Sequence, residues 1–143
     1  MPQDDFYTKV RTGLPALLRQ WLSLGRADVD QLALILAETA RVAKLGTPES
    51  TPNGATLRQW CEESTAEIPR WAPRTAVFLL NQMPARPAPQ SEEEACAWAY
   101  CWLRNRDFVS LNDAHAALPE HLKAPLEQAL EAAWQDQQGL RLV

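Results

Sequence analysis

Residues 91–143 read SEEEACAWAYCWLRNRDFVSLNDAHAALPEHLKAPLEQALEAAWQDQQGLRLV, and the order of signals in them decides the fold class. Ser91 with Glu94 three residues on is a capping box, in which the two side chains satisfy the free amides at a helix start. Glu92, Glu93 and Glu94 fill the first turn, where the helix dipole favours negative charge. Ala95, Trp98, Ala99, Trp102 and Leu103 recur at helical spacing and mark the inward stripe, which makes Trp98 and Trp102 core residues. Arg104 and Arg106 sit in the last turn. Phe108 and Val109 read as extended. Ser110 and Asp113 then open a short helix that ends at Leu118, Pro119 opens a turn, and Pro125 begins a last helix with Leu126, Ala129, Leu130, Ala133 and Trp134 inward. Gly139 reads as its stop, and residues 140–143 as an apolar strand.

That order of helix, extended piece, helix, turn, helix and strand is similar to the winged-helix / helix-turn-helix superfamily. It is carried by Val109, Ser110, Leu111, Ala114, Leu118, Pro119, Leu122, Leu126, Ala129, Leu130, Gly139 and Leu140. It covers this third of the chain only, and the wing would be truncated to one strand. The resemblance implies a final helix that enters the DNA major groove behind basic or amide side chains. Here that helix offers Glu127, Gln128, Glu131, Gln135 and Asp136, with Lys123 just before it, so phosphates would meet net negative charge. A protein-facing role fits these residues better than DNA reading. A plain three-helix unit is the alternative.

Upstream, two loops punctuate the chain. Residues 46–54 hold Gly46, Pro48, Pro52 and Gly54; residues 84–90 hold Pro84, Pro87 and Pro89, a spacing that excludes helix and favours an extended, exposed connector. Before the first loop, Asp4 or Asp5 caps a short helix and Pro15 starts a second that runs to Leu24. Asp28 with Gln31 caps a longer helix with Leu32, Ile35, Leu36, Thr39, Ala40 and Ala43 on its inner face and Gly46 as its stop. Between the loops, Thr56 and Gln59 open a helix to about Glu63, and Pro73 begins an apolar helix through Val77, Phe78, Leu79 and Leu80 to Met83, nearly buried all round. The expected fold is mostly α: a compact bundle of about six to seven helices, with an N-terminal helical half over 1–83, a Pro-rich connector over 84–90 and a helix-turn-helix-like half over 91–143, or one core shared by both halves.

Composition narrows the function classes. The 143 residues carry 14 Lys/Arg against 18 Asp/Glu. Residues 91–143 hold four of those cations and nine of the anions, so the third that resembles a DNA-binding unit is the most acidic. No basic stripe of the kind a nucleic-acid binder shows is visible, and no apolar run is long enough to span a bilayer. The start carries Asp4 and Asp5 rather than a basic leader. With three cysteines, an odd number, free thiols in a reducing cytoplasm are the expectation. Six tryptophans, each able to bury on the order of 200 Å², supply a sizeable core.

Catalytic patterns are missing from the sequence. Residues 46–54 lack the Lys-Ser/Thr ending of a phosphate loop. Cys96 and Cys101 lie about 500° apart on one helix, and His115 and His121 are six apart around a turn, so no metal-ligand spacing occurs. Glu62, Glu63 and Glu67 read as a solvated acidic face. The best contact candidate is Arg70, Trp71 and Arg74 in a Pro-flanked turn, because Trp and Arg are enriched at binding hot spots. The competing reading makes Trp71 a plug between helices. The expected function is that of a non-enzymatic protein-interaction module (an adaptor, an inhibitor or a small subunit) without cofactor, for a partner that is a protein of basic character. The alternative is a DNA-binding regulator, as a dimer. An enzyme site around His115 or His121 would need a deep polar pocket there.

Overall fold

The computed structural model of the chain describes residues 2–25, 27–62 and 68–142, and side chains within 6–138. Seven helices and no strand occur among the described residues: α1 Pro2–Leu24, α2 Val29–Val42, α3 Gly54–Glu62, α4 Trp71–Leu80, α5 Glu92–Asn105, α6 Leu111–Ala116 and α7 Glu120–Leu142. The mostly-α bundle expected from sequence is therefore what forms. One apolar cluster draws on both ends of the chain, from Phe6, Leu17, Leu18 and Trp21 of α1 to Leu122, Leu126 and Leu130 of α7.

Helix α5 is the central strut, touched by α1, α4 and α7. Its start is built as the sequence implies. Ser91 accepts from the Glu94 amide at 3.1 Å, and Glu94 Oε2 accepts from the Gln90 amide at 2.6 Å, one residue before the cap. Glu94 is buried, and burial pushes its carboxyl up, partly offset by the Gln90 amide and by Arg19. Trp98 is fully buried, whereas Trp102 is only half-buried: its indole N–H donates to the Ala114 carbonyl at 3.0 Å and its ring stacks on Phe108.

Helix α1 crosses α5 at Gly13. A Cβ there would lie 2.0 Å from the Glu93 carbonyl oxygen and 3.0 Å from Ala97 Cβ, so only glycine permits this backbone approach. Pro15 lies inside α1 rather than starting a second helix. It removes one amide and leaves the Arg11 carbonyl without its intrahelical donor. Arg11 is exposed, so water can supply a replacement. A polar seam flanks the crossing. Tyr7 and Tyr100 meet edge to face at 6.3 Å, the Arg104 guanidinium lies 3.7 Å above Tyr100, and buried Asp136 of α7 faces Tyr7. Burial first, and then Asp136, raises the Tyr7 phenol above its ordinary range.

Other starts and stops differ from the sequence reading. Asp28 caps α2 as expected, accepting from Gln31 N at 2.9 Å. The stop of α2, however, is Lys44 in the left-handed conformation (φ 59°), with Leu45 N bonded to Ala40 O at 2.9 Å and Lys44 N to Arg41 O at 3.4 Å. This is the pattern of a Schellman motif. Gly46 instead makes room for Trp71, whose Cβ would lie 2.2 Å from an added Cβ. The cap of α3 is Asn53, which accepts from Thr56 N at 2.8 Å, and not Thr56. Asp30 of α2 accepts from Gly54 N at 2.6 Å and ties the two helices. Helix α4 begins at Trp71, two residues before Pro73, and ends at Leu80. Helix α7 begins at Glu120, so Pro125 is internal.

Over 140–142 the expected wing strand does not form, because α7 continues through Gly139 to Leu142, and Val143 lies outside the described residues. A single glycine costs about 1 kcal/mol within a helix, and a lone strand would have no partner for its backbone groups. The connector 84–90 is non-helical, as expected, but not wholly exposed. Pro87 is buried, its carbonyl bonds His121 Nε2 at 3.1 Å, and the Ala88 carbonyl accepts from Gln20 Nε2 at 2.9 Å. Limited proteolysis with a low-selectivity protease should therefore cut the exposed stretch Glu49, Ser50, Thr51 before residues 86–90. Earlier cutting at the connector, read by mass spectrometry, would contradict this pinning.

Two glycine substitutions should move stability in opposite directions. Gly13→Ala, favourable by about 1 kcal/mol in an open helix, should here destabilise by about 1–3 kcal/mol, the usual cost of overpacking. Lys44→Gly should stabilise by up to about 1 kcal/mol, because the left-handed conformation costs a Cβ-bearing residue about 1–2 kcal/mol. Urea melts of the two variants check both signs.

Candidate functional site

The residues singled out by sequence do not share one face. Arg70 is exposed at the start of α4. Trp71 is half-buried, packed edge to face on Trp60 at 5.8 Å and against Gly46. Arg74 points to the end of α5, donating from Nη2 to the Arg104 carbonyl at 2.5 Å and from Nε to Asn105 Oδ1 at 3.2 Å, while Asn105 Nδ2 donates back to the Arg74 carbonyl at 3.0 Å. A cation there complements the carbonyls left free at a helix C-terminus. Within this trio, one residue clamps two helices, one fills a gap and one faces solvent.

The largest exposed apolar side chains lie elsewhere. Helix α2 shows Leu34 at 47% exposure, Ile35 at 43% and Val42 at 81%. Its buried side is Leu32, Ala33, Leu36, Ala37 and Ala40. The helix is thus rotated so that Ile35, expected inside, faces out, and Ala33 and Ala37 join Ala40 inside. Small side chains let α3 and α4 approach α2 closely, and the bulkier Leu34 and Ile35 are left on the far side. Glu38 and Arg41 pair at 3.1 Å on this outer face. Apolar residues on both sides of α2 were the sequence signal for this surface, and a one-stripe reading passes over it.

A groove opens where α4, the end of α5 and the α6–α7 turn meet. One compartment of about 350 Å³ has Leu45, Phe78, Gln82, Trp102, Arg106 and Pro119 in its walls. A neighbouring compartment of about 270 Å³ shares Asn81, Gln82 and Pro119 and adds Arg86 and His121. The Arg106 guanidinium lies 5.1 Å from the Phe108 ring centre and 5.4 Å from that of Trp102. Among the described residues, no Ser, Thr or Cys lines either compartment. His121 uses Nε2 on the Pro87 carbonyl and His115 uses its own on the Lys123 carbonyl at 3.2 Å. A third cleft, of about 570 Å³ between α1, α5 and α7, includes Lys9 and Glu92, paired at 2.6 Å, and the wall residue Cys96.

All three thiols are buried and free. Burial pushes Cys61 up to about 11, Cys101 up to about 12, and Cys96 upward as well. A thiol held protonated is a poor nucleophile and a poor metal ligand. Among the described residues no three His, Cys, Asp or Glu side chains converge as a metal set, and no helix is long and apolar enough to cross a membrane. Glu62 is exposed, while Glu63 and Glu67 lie outside the described residues. Comparison with known proteins finds no matching family model, no matching curated protein and no matching solved structure.

The thiol chemistry is directly measurable. At pH 8 the folded protein should react with a thiol-disulfide reagent far more slowly than the urea-unfolded chain, which should release three equivalents at once. The folded-state pKa values lie above the ordinary thiol value, so the folded form holds protons that the unfolded form loses. Stability should therefore fall as pH rises past about 9, and go on falling until the folded-state values of about 11 and 12 are passed. Rapid labelling of the native protein at pH 8 would contradict the burial.

Proposed function

We propose that this chain is a non-enzymatic interaction module that binds a protein partner through the outer face of α2. The observation that carries this reading is the exposure of Leu34, Ile35 and Val42 on one helix. Ile35 and Val42 are two turns apart, about 10 Å along the axis, so they form a line rather than scattered spots. Exposed apolar residues grouped on one helix mark contact surfaces, and helix-in-groove recognition uses this kind of spacing. The protonated thiols and the carbonyl-bound histidines support a role without nucleophilic chemistry.

A basic partner fits the rest of the surface. Glu120, Glu127 and Glu131 of α7 are all exposed, so this helix presents negative charge. Such a surface would steer a positively charged protein toward the chain. The same carboxylates weigh against the DNA-regulator reading, since the helix that would enter a major groove would bring them to phosphate.

The test is a quantitative pull-down from the native host with the parent protein and an Ile35→Glu/Val42→Glu variant. Both positions are exposed, so the variant should melt within about 0.5 kcal/mol of the parent, as surface changes usually do, and should lose the partner that the parent retains. Fluorescent duplex DNA titrated at about 150 mM salt should bind no tighter than the micromolar range typical of non-specific contacts. Retention of every partner by the α2 variant would refute the surface, and nanomolar sequence-selective duplex binding would refute the function.

A further inference from the structure

We propose that the groove beneath Trp102 and Arg106 binds the free C-terminus of a peptide that ends in a large apolar residue. Three chemistries converge there. The first is an apolar compartment of about 350 Å³ walled by Leu45, Phe78, Trp102 and Pro119, within the range of ligand pockets. The second is a cation. Arg106 is exposed, rests on the Trp102 and Phe108 rings, and takes part in none of the ion pairs among the described residues. An arginine stacked on aromatic rings keeps its donor edge open, and that edge matches a carboxylate in bidentate geometry. The third is an acceptor. Gln82 lines both compartments, spends its Nε2 donor on the Phe78 carbonyl at 3.0 Å, and is exposed, which leaves Oε1 open.

The last residue of a peptide carries the three complementary groups in one place: a carboxylate, a side chain and a backbone N–H. With the side chain in the apolar compartment and the carboxylate on Arg106, the N–H faces Gln82 Oε1. The preceding residues, at about 3.3 Å each when extended, run into the compartment of Arg86 and His121. Capture of a C-terminal carboxylate is an established way of reading peptides. Charge complementarity is local: Arg106 is the charged residue in the wall of the first compartment, and the second has Arg86 together with Glu120, which pairs with Lys123 at 3.3 Å, although the segment from 91 onward is acidic overall.

The experiment uses the full chain and N-acetylated pentapeptides of sequence Gly-Ser-Ala-Ala-X, with X each of the twenty amino acids, made as free acids and as C-terminal amides. Binding is read by tryptophan fluorescence and by the shift of the Trp102 indole N–H resonance. Peptides ending in Phe, Leu or Trp should bind as free acids with Kd below about 1 mM, and their amides at least about tenfold more weakly, the scale of one charge-assisted contact. Arg106→Gln should reduce the acid-to-amide preference below about threefold, and Arg106→Lys should restore part of it. Arg70→Gln, which does not line the groove, and the Ile35→Glu/Val42→Glu variant should both bind as the parent does, so the groove and the α2 face fail or stand separately. Equal binding of acids and amides, a preference that survives Arg106→Gln, or no peptide binding at 1 mM would overturn the proposal. Binding of 3-phenylpropionate as tight as that of the best peptide would also overturn it, by assigning the groove to small carboxylic acids.

Discussion

The structure depends on one missing side chain, at Gly13. Helix α1 lies so close to α5 that an added Cβ would lie 2.0 Å from the Glu93 carbonyl oxygen. Everything around that crossing is arranged at the spacing it sets. Lys9 meets Glu92, Tyr7 meets Tyr100, and Tyr7 also reaches Asp136 across on α7. Helix α1 also packs against α3, α4 and α7. The energy is apolar burial, but its geometry comes from a backbone contact that only glycine allows.

Helix identity was legible in the sequence wherever a cap and a periodic stripe coincided. Asp28, Ser91 and Ser110 each cap the helix that the stripe after them implied, because a short polar side chain before an apolar run has one good use. Boundaries set by Pro and Gly were read less well. Pro15 and Pro125 both lie inside helices, since a single lost amide is tolerated when packing holds the flanking turns. Gly46 and Gly139 end nothing: Gly46 yields space to Trp71, and α7 runs through Gly139. Local propensity is a weak force beside tertiary contact, and neither the Trp71 ring nor the α1–α5 crossing is visible in a one-dimensional pattern.

The candidate surfaces were hidden for a related reason. Trp and Arg are hot-spot residues because they make many contacts, and a fold can use those contacts internally. Arg74 does so at the end of α5, and Trp71 does so against Trp60. Conversely, Ile35 looked like core because it falls on the same helical stripe as Leu32 and Leu36. In α2 the buried side joins Leu32 and Leu36 to Ala33, Ala37 and Ala40, whose small size lets neighbouring backbones approach, and Leu34 and Ile35 face outward. Side-chain size and helix rotation together, and not hydrophobicity alone, decide which face is presented.

Charge follows the same logic of placement over total. The segment from residue 91 onward carries an excess of carboxylates: three occupy the first turn of α5, Asp107 follows Arg106, Asp113 lies in the first turn of α6, and Glu120, Glu127 and Glu131 meet water on α7. Asp136, on the same helix, is instead buried beside Tyr7 and contributes little to the outer field. Arg106 lies just past the far end of α5, held on two aromatic rings. Screening confines an exposed charge to about 8 Å at physiological salt, so a cation on an aromatic shelf sets the chemistry of its own groove whatever the segment's net charge. The molecule therefore presents three separate surfaces: an apolar helix face, an acidic helix face and a cationic aromatic groove.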